Sequence, residues 1–248
     1  ITLSNKGYID YTRNLINSIN TNNIDLKLNI FVMDKFSYKY FNDLNQNTFL
    51  IDGINGKKYL KQDSKDFGTY MLQKLKIIHQ SLLSHEEVIY LDGDIVIKKN
   101  FLDNLNLIGE NYDLLIQDDM NPKKPHIEYL CAGFMKIKSN KKTLKFFNPK
   151  NIPDELIMKG LHDQEYINVN KHMLNYLKLP LEHYPNGAHF YNNSAEIDPY
   201  IIHFNYVIGK KKKKLMKVYK EWYKWDILLL VVFRNLTNNK LNLLVSIF

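Results

Sequence analysis

VIYLDGDIVI, residues 88–97, sets an apolar run against two carboxylates, Asp92 and Asp94, with a single glycine between them. Val88, Ile89, Tyr90 and Leu91 are β-branched, aromatic or aliphatic, the make-up of a strand buried on both faces of a largely parallel sheet. An ionised Asp is too costly to bury unpaired, so the strand leaves the core at Asp92. Its carboxyl end is the edge at which open α/β sheets bind ligands. Gly93 allows close backbone approach, and two hard oxygen donors suit Mg²⁺ or Mn²⁺, which bind through a few carboxylates plus substrate phosphates. The alternative is an Asp-Gly hairpin turn, with Ile95, Val96 and Ile97 as the returning strand.

Outward from this strand, helical and extended patterns alternate. Ile1–Leu3 reads as a short strand, Tyr8–Ile19 as a helix and Leu28–Met33 as a strand ending at Asp34. After an irregular part containing Gly53 and Gly56, apolar residues at Met71, Leu72, Leu75, Ile78, Leu82 and Leu83 have the spacing of an amphipathic helix over Tyr70–Leu83. Beyond Ile97, Leu114–Gln117 and Ala132–Ile137 read as strands, and Lys141–Phe147, Asp163–His172 and Met216–Trp225 as helices. This is the βαβα rhythm of a doubly wound sheet. No internal repeat and no linker rich in Gly, Ser or Pro interrupts it, so residues 1–225 are expected to be one domain, with 226–248 a tail of unassigned role.

The 248 residues are 45% hydrophobic, enough for a large core. A single cysteine, Cys131, permits no internal disulfide and no cysteine zinc cluster. A reducing, cytoplasmic setting is the expectation, although a chain that begins at Ile1 rather than Met is compatible with an upstream signal or anchor. Ile227–Phe233 is apolar but stops at Arg234, short of the ~20 residues a spanning helix needs, so no membrane span is expected. The formal charge of +8 implies an anionic partner. Arginine occurs only at 13 and 234, and Lys210–Lys214 is one run rather than a stripe interleaved with aromatics. Base-edge readers rely on Arg, so nucleic acid is not the expected partner.

Three constellations are placed to share the Asp92–Asp94 site. YIIHFNYVIG, residues 200–209, delivers His203 and Asn205, then Gly209 and the lysine run. A neutral imidazole is a borderline ligand that suits Mn²⁺ beside two carboxylates, and backbone N–H groups at Gly209 with an ammonium suit a diphosphate. The alternatives are a satisfied core histidine and a solvated basic face. HDQEYIN, residues 162–168, sets Asp163 and Gln164 at the start of a helix; capping alone explains Asp163, while an adjacent carboxylate and amide are also what reads sugar hydroxyls. Lys74 is a cation inside an amphipathic helix just before the Asp92–Asp94 strand, a position where an ordinary surface lysine is the usual alternative.

In order, Asn5 and Tyr8, Lys74, VIYLDGDIVI, LCAGFMKI at 130–137, HDQEYIN at 162–168 and HFNYVIGKKKK at 203–213 resemble the nucleotide-diphospho-sugar transferases. These are DxD glycosyltransferases, close to families 8 and 77, and the resemblance covers residues 1–222. It implies the α/β GT-A fold, a Rossmann-like, mostly parallel mixed sheet flanked by helices. It also implies sugar transfer from a UDP-sugar to the hydroxyl of a carbohydrate, glycan or glycoprotein acceptor, with retention of anomeric configuration. By the same resemblance, Asp92, Asp94 and His203 hold Mn²⁺ (or Mg²⁺), with Asp92 and Gly93 against the donor's phosphates or ribose. Lys74 and Lys213 approach the diphosphate or donor sugar, with Gly209 nearby. The Cys131–Ala132–Gly133 turn lines the sugar pocket, Asp163 and Gln164 stand near the anomeric carbon, and Thr2, Asn5 and Tyr8 hold the uridine.

One departure stands out. Family 8 typically ends His-x-x-Gly-x-x-Lys-Pro-Trp, whereas here Gly209 lies farther from His203 and no Pro-Trp follows, which leaves the diphosphate lysine open among 210–214. Two readings from other classes remain, a nucleotidyltransferase and a catalytically inactive nucleotide- or carbohydrate-binding scaffold. For the acceptor, Asn121–Tyr129 and His183–Phe190 are candidate walls, with Tyr184, His189, Phe190 and Tyr191 as stacking or merely packed aromatics.

Overall fold

The computed structural model describes residues 1–51, 65–121, 126–152 and 163–223. Gly53, Gly56, Pro122, Pro125, His162 and the 226–248 tail lie outside them.

Three short parallel strands, β1 (Thr2–Ser4), β2 (Ile30–Val32) and β3 (Thr48–Leu50), pair in that order. A second sheet runs β4 (Glu87–Leu91), β7 (Leu130–Lys138), β6 (Leu114–Asp118) and β8 (Tyr176–Leu179). In it β7 is antiparallel to both neighbours, and β6 is parallel to β8. Leu91 N–H donates to Ile1 O at 3.0 Å, so the first sheet abuts β4. The remaining strands, β5 (Ile95–Ile97) and β9 (Ile201–His203), form a small antiparallel pair. This arrangement overturns the hairpin alternative: β5 turns away from β4 and takes β9 as its partner.

Helices cover both faces. Alternate residues of the central strands serve opposite cores, as the two-residue period of a strand dictates. Leu114, Ile116, Met135 and Ile137 pack with Leu75, Ile78 and Leu82 of α3 (Lys65–Leu82), Phe146 of α5 (Lys141–Phe147) and Ile167 of α6 (Asp163–Asn170). On the other side, Leu115 and Phe134 meet Leu15 and Ile19 of α1 (Ile9–Thr21), Phe41 of α2 (Lys35–Asp43) and Leu105 of α4 (Leu102–Gly109). Each large apolar side chain buried this fully contributes roughly 1.5–3 kcal/mol. Double coverage explains why the first eight residues of β7 are all buried although the strand is antiparallel.

The sequence pattern misplaced the last helix. It is α8 (Gly209–Val218) rather than Met216–Trp225, and it contains the lysine run. Lys212 and Met216, one turn apart, face inward while Lys210, Lys211, Lys214 and Lys217 stay exposed. The helix stops where Lys220 adopts φ 60° and Glu221 N–H donates to Met216 O at 2.7 Å, a Schellman-type end. Beyond it, the Glu221 carboxylate accepts from Lys98 at 2.6 Å and from the Tyr223 hydroxyl at 3.0 Å. Asn14 and Asn17 of α1 donate to the carbonyls of Glu221 and Tyr223, so the exit of α8 is fastened to α1. Among the described residues no helix is long and apolar enough to cross a membrane.

Candidate active site

Pairing of β5 with β9 builds the centre of the site. Ile95 lies opposite His203, and Phe204 N–H donates to Asp94 O at 3.2 Å, so the ladder sets the imidazole beside the turn after β4. His203 Nε2 stands 3.4 Å from Asp94 Oδ1 and 3.8 Å from Asp92 Oδ2. One ligand atom from each of Asp92, Asp94 and His203 falls within a 4.8 Å group.

The tautomer follows from the next layer of contacts. Gln117 Nε2 donates to Tyr184 O and Pro185 O at 3.0 and 2.9 Å, which turns its Oε1 toward His203 Nδ1 at 2.8 Å. Nδ1 therefore carries the proton, and the Nε2 lone pair faces the carboxylates. Two carboxylates and an imidazole so oriented fit a Mn²⁺ or Mg²⁺ ion by donor type. Gln117 was read only as the end of a strand; nothing in its sequence neighbourhood marks it as the orienting partner.

The glycines of the site have steric reasons. A Cβ on Gly133 would come within 2.2 Å of His203 Cε1, and one on Gly93 within 2.6 Å of Thr12 Oγ1. Gly133 thus makes room for the imidazole. Gly133→Ala is expected to swing His203 off Gln117 and the carboxylates, lowering Mn²⁺ affinity by more than tenfold, as isothermal titration would show. Wild-type affinity in this variant would refute the steric account.

Two buried lysines meet the carboxylates. Lys74, 3% exposed, reaches Asp163 at 2.6 Å, Asp92 at 3.1 Å and the Ala132 carbonyl at 3.2 Å, and lies over the Tyr90 ring. Burial works against its charge, but Asp163 and Asp92 outweigh it and hold the ammonium well above the usual lysine range. Lys212 contacts Asp94 Oδ2 and stands near the Tyr8 and Tyr11 rings, 5.7 and 5.6 Å from their centroids. Burial opposes this charge too, and Asp94 overcomes it; reciprocally, burial works against the Asp94 carboxylate, and Lys212 outweighs it and holds that carboxyl below its usual range. Lys213, which the resemblance singled out, turns instead to Asp10 at 2.7 Å and lies over Trp222.

The remaining candidates divide between the pocket and the scaffold. Gln164 Oε1 accepts from Ala132 N–H at 3.2 Å and its Nε2 donates to Asp119 Oδ2 at 2.9 Å. Asn5 Oδ1 accepts from the N–H groups of Gly7 and Tyr8, shaping the turn after β1. Thr2 is fully buried in β1. Gly209 starts α8 at φ 57°, a conformation that suits glycine, and its carbonyl accepts from the Tyr11 hydroxyl at 3.0 Å. Asp119 was not singled out by sequence; burial pushes its carboxyl up, against the hydrogen bond it accepts from Gln164. Within the expected acceptor walls, Tyr184 and Phe190 are buried core residues, and Gly187–Asn193 forms a helix, α7.

The profile of the nucleotide-diphospho-sugar transferases matches residues 25–216. A UDP-galactose:fucoside alpha-3-galactosyltransferase of Dictyostelium discoideum is 25% identical over 283 residues, covering 90% of this chain and 42% of the relative. The chain thus spans less than half of that relative's length. Among solved structures, the galactosyltransferase LgtC, in complex with donor and acceptor sugar analogs, matches with a TM-score of 0.56 at 11% identity, over 91% of this chain and 96% of that one. The glycosyltransferase GlyE of Streptococcus pneumoniae matches with a TM-score of 0.56 at 16% identity, over 91% of this chain and 59% of its own. The fold is the GT-A fold of these transferases.

Proposed function

The chain belongs to the nucleotide-diphospho-sugar transferase family, and on that premise we propose that it moves a sugar from a UDP-sugar to an acceptor hydroxyl with retention of anomeric configuration. The convergence of Asp92, Asp94 and His203 within 4.8 Å carries this reading. UDP-galactose is the donor to try first, because the Dictyostelium relative is named for it. Residues 1–225 act as one catalytic domain on this reading, since α3, the turn after β4, α6, β9 and α8 all contribute to the cluster.

A divalent ion held by Asp92, Asp94 and His203, Mn²⁺ or Mg²⁺, supplies a Lewis acid for the departing diphosphate. The protein's own cations share that work. Lys212, the buried member of the run, offers an ammonium beside Asp94. Lys74 is fixed between two carboxylates and so positions both Asp92 and Asp163. Asp163 has its charge taken up by Lys74 at 2.6 Å, which makes it a better acceptor for a sugar hydroxyl than a nucleophile. Gln164 is held at both ends of its amide and is a poor nucleophile by chemistry; it props the developing oxocarbenium-like carbon while the acceptor enters on the face that UDP leaves. Tyr8 and the Asn5 turn border the uridine.

Calorimetric titration with UDP, GDP and ADP, each with Mn²⁺ and again with chelator, tests the reading. The expected result is UDP binding at least tenfold tighter than GDP or ADP and lost on chelation, followed by UDP release from UDP-galactose. Absence of all nucleotide binding would leave an inactive scaffold as the better account.

A further inference from the structure

Tyr206 is the sole aromatic residue with a left-handed backbone among the described residues, at φ 62°. A bulky side chain rarely adopts that conformation, and where one does, the surroundings enforce it. Here they can be named. The Tyr206 hydroxyl donates to Asp119 O at 3.1 Å. The preceding residue, Asn205, ties three segments together: its Nδ2 donates to Asp119 Oδ1 at 3.4 Å, its Oδ1 accepts from Gly187 N–H at 2.6 Å, and its carbonyl accepts from the Tyr191 hydroxyl at 3.0 Å. A Cβ on Gly187 would lie 2.4 Å from Asn205 O, so this junction closes only around a glycine.

The outcome is a fixed ring that packing does not explain. Tyr206 remains 47% exposed, although its hydroxyl is tethered. Asp119, the residue to which it is tied, receives the amide of Gln164 at 2.9 Å. The ring is therefore anchored to the residue that holds the amide of Gln164, the group assigned to the anomeric carbon. Burial of apolar surface is an incomplete reason for the strain, because nearly half of the residue stays exposed.

We propose that Tyr206 is the acceptor platform: its ring face stacks on the C–H face of the acceptor pyranose and presents the neighbouring hydroxyl to the donor carbon. Aromatic rings suit this task because a pyranose has a polar rim and an apolar face. The strained backbone trades local stability for a ring held in one orientation before the acceptor arrives. The inference rests on the glycosyl-transfer reading and specifies its acceptor as a carbohydrate with an unobstructed C–H face, rather than a peptide hydroxyl.

Tyr206→Gly tests it, since glycine removes the ring and suits the left-handed backbone, so the variant folds at least as stably as wild type. The probes are methyl α-L-fucoside and methyl β-D-galactoside, titrated by saturation-transfer NMR in the presence of Mn²⁺ and UDP. Wild type is expected to bind at least one of them, and Tyr206→Gly to bind it about tenfold more weakly, with UDP affinity within twofold of wild type. Tyr206→Phe, which keeps the ring and loses the tether, should fall between. Unchanged sugar affinity in Tyr206→Gly, or no binding of either glycoside to wild type that still binds UDP, overturns the platform alone. Failure of wild type to bind UDP overturns the transfer reading beneath it.

Discussion

Asp94→Ala is expected to abolish Mn²⁺-dependent UDP binding and to destabilise the metal-free protein, whereas Asp92→Ala abolishes the binding with little loss of stability. The two carboxylates look equivalent in the sequence and differ in burial. The Asp94 side chain is 5% exposed and receives the buried Lys212 ammonium, while the Asp92 side chain is 30% exposed. Removing one partner of a buried pair leaves the other charge desolvated, at a penalty of roughly 3–5 kcal/mol. Asp92 is less deeply placed, and Lys74 keeps Asp163 when Asp92 is gone, so about 1 kcal/mol is the expected loss there. Urea denaturation of both variants without metal measures the difference. Adding Lys212→Met to Asp94→Ala should restore part of the stability but none of the binding, because the orphaned ammonium is then removed. Equal stability losses for the two aspartates would show that Lys212 is not an obligate partner of Asp94.

The convergence of Asp92, Asp94 and His203 was legible because few residue types suit a divalent ion. Asp92, Asp94 and His203 each follow or end a hydrophobic strand, and a strand end is where a charged ligand leaves the core. What the sequence could not display was the ladder that joins them: β5 pairs with β9 across a hundred residues, and short strands of three residues carry no visible register. The same limit explains the hairpin alternative, since Ile95–Ile97 is equally apolar whichever strand it pairs with. Helices α2 and α4 were missed for a different reason. Each is short, and α2 buries only Ser37 and Phe41 and is started by Asp34, whose side chain accepts from Ser37 N–H. A cap of that kind reads in sequence as a polar residue ending a strand.

The lysine run shows the opposite failure, in which composition concealed structure. Five consecutive lysines offer both a diphosphate contact and a solvated face, and four of them are partly or fully exposed. Helical periodicity nevertheless turns one in five inward, and position 212 is the one that shares its face with Met216. Its choice over Lys213 depends on where the helix begins, and Gly209 at φ 57° sets that start. Asp119, Asn205 and Tyr206 illustrate the same point at the rim: a loop knot is assembled from β6, β7, α7 and β9, and none of its members stands in a recognisable local pattern.

Lys74→Met carries the second large effect. The wild-type ammonium is 3% exposed and holds Asp92 and Asp163 together while donating to the Ala132 carbonyl. Methionine preserves length and packing but removes the charge, leaving Asp163, itself 5% exposed, without its cation. The expected consequence is a stability loss of roughly 3–5 kcal/mol and, on the proposed function, a fall in turnover of more than a hundredfold, since Asp92 and Asp163 lose their common cation. A surface lysine would give neither. The pairing itself is separable from general damage by a double-mutant cycle with Asp163→Asn. Lys74→Met lowers stability steeply in the wild-type background, but in Asp163→Asn the buried partner is already neutral, so the further loss should be smaller by about 2 kcal/mol. Strict additivity would mean that the two side chains are neighbours without being partners, and that the geometry of the sugar pocket is set by packing around Tyr90 and α3 instead.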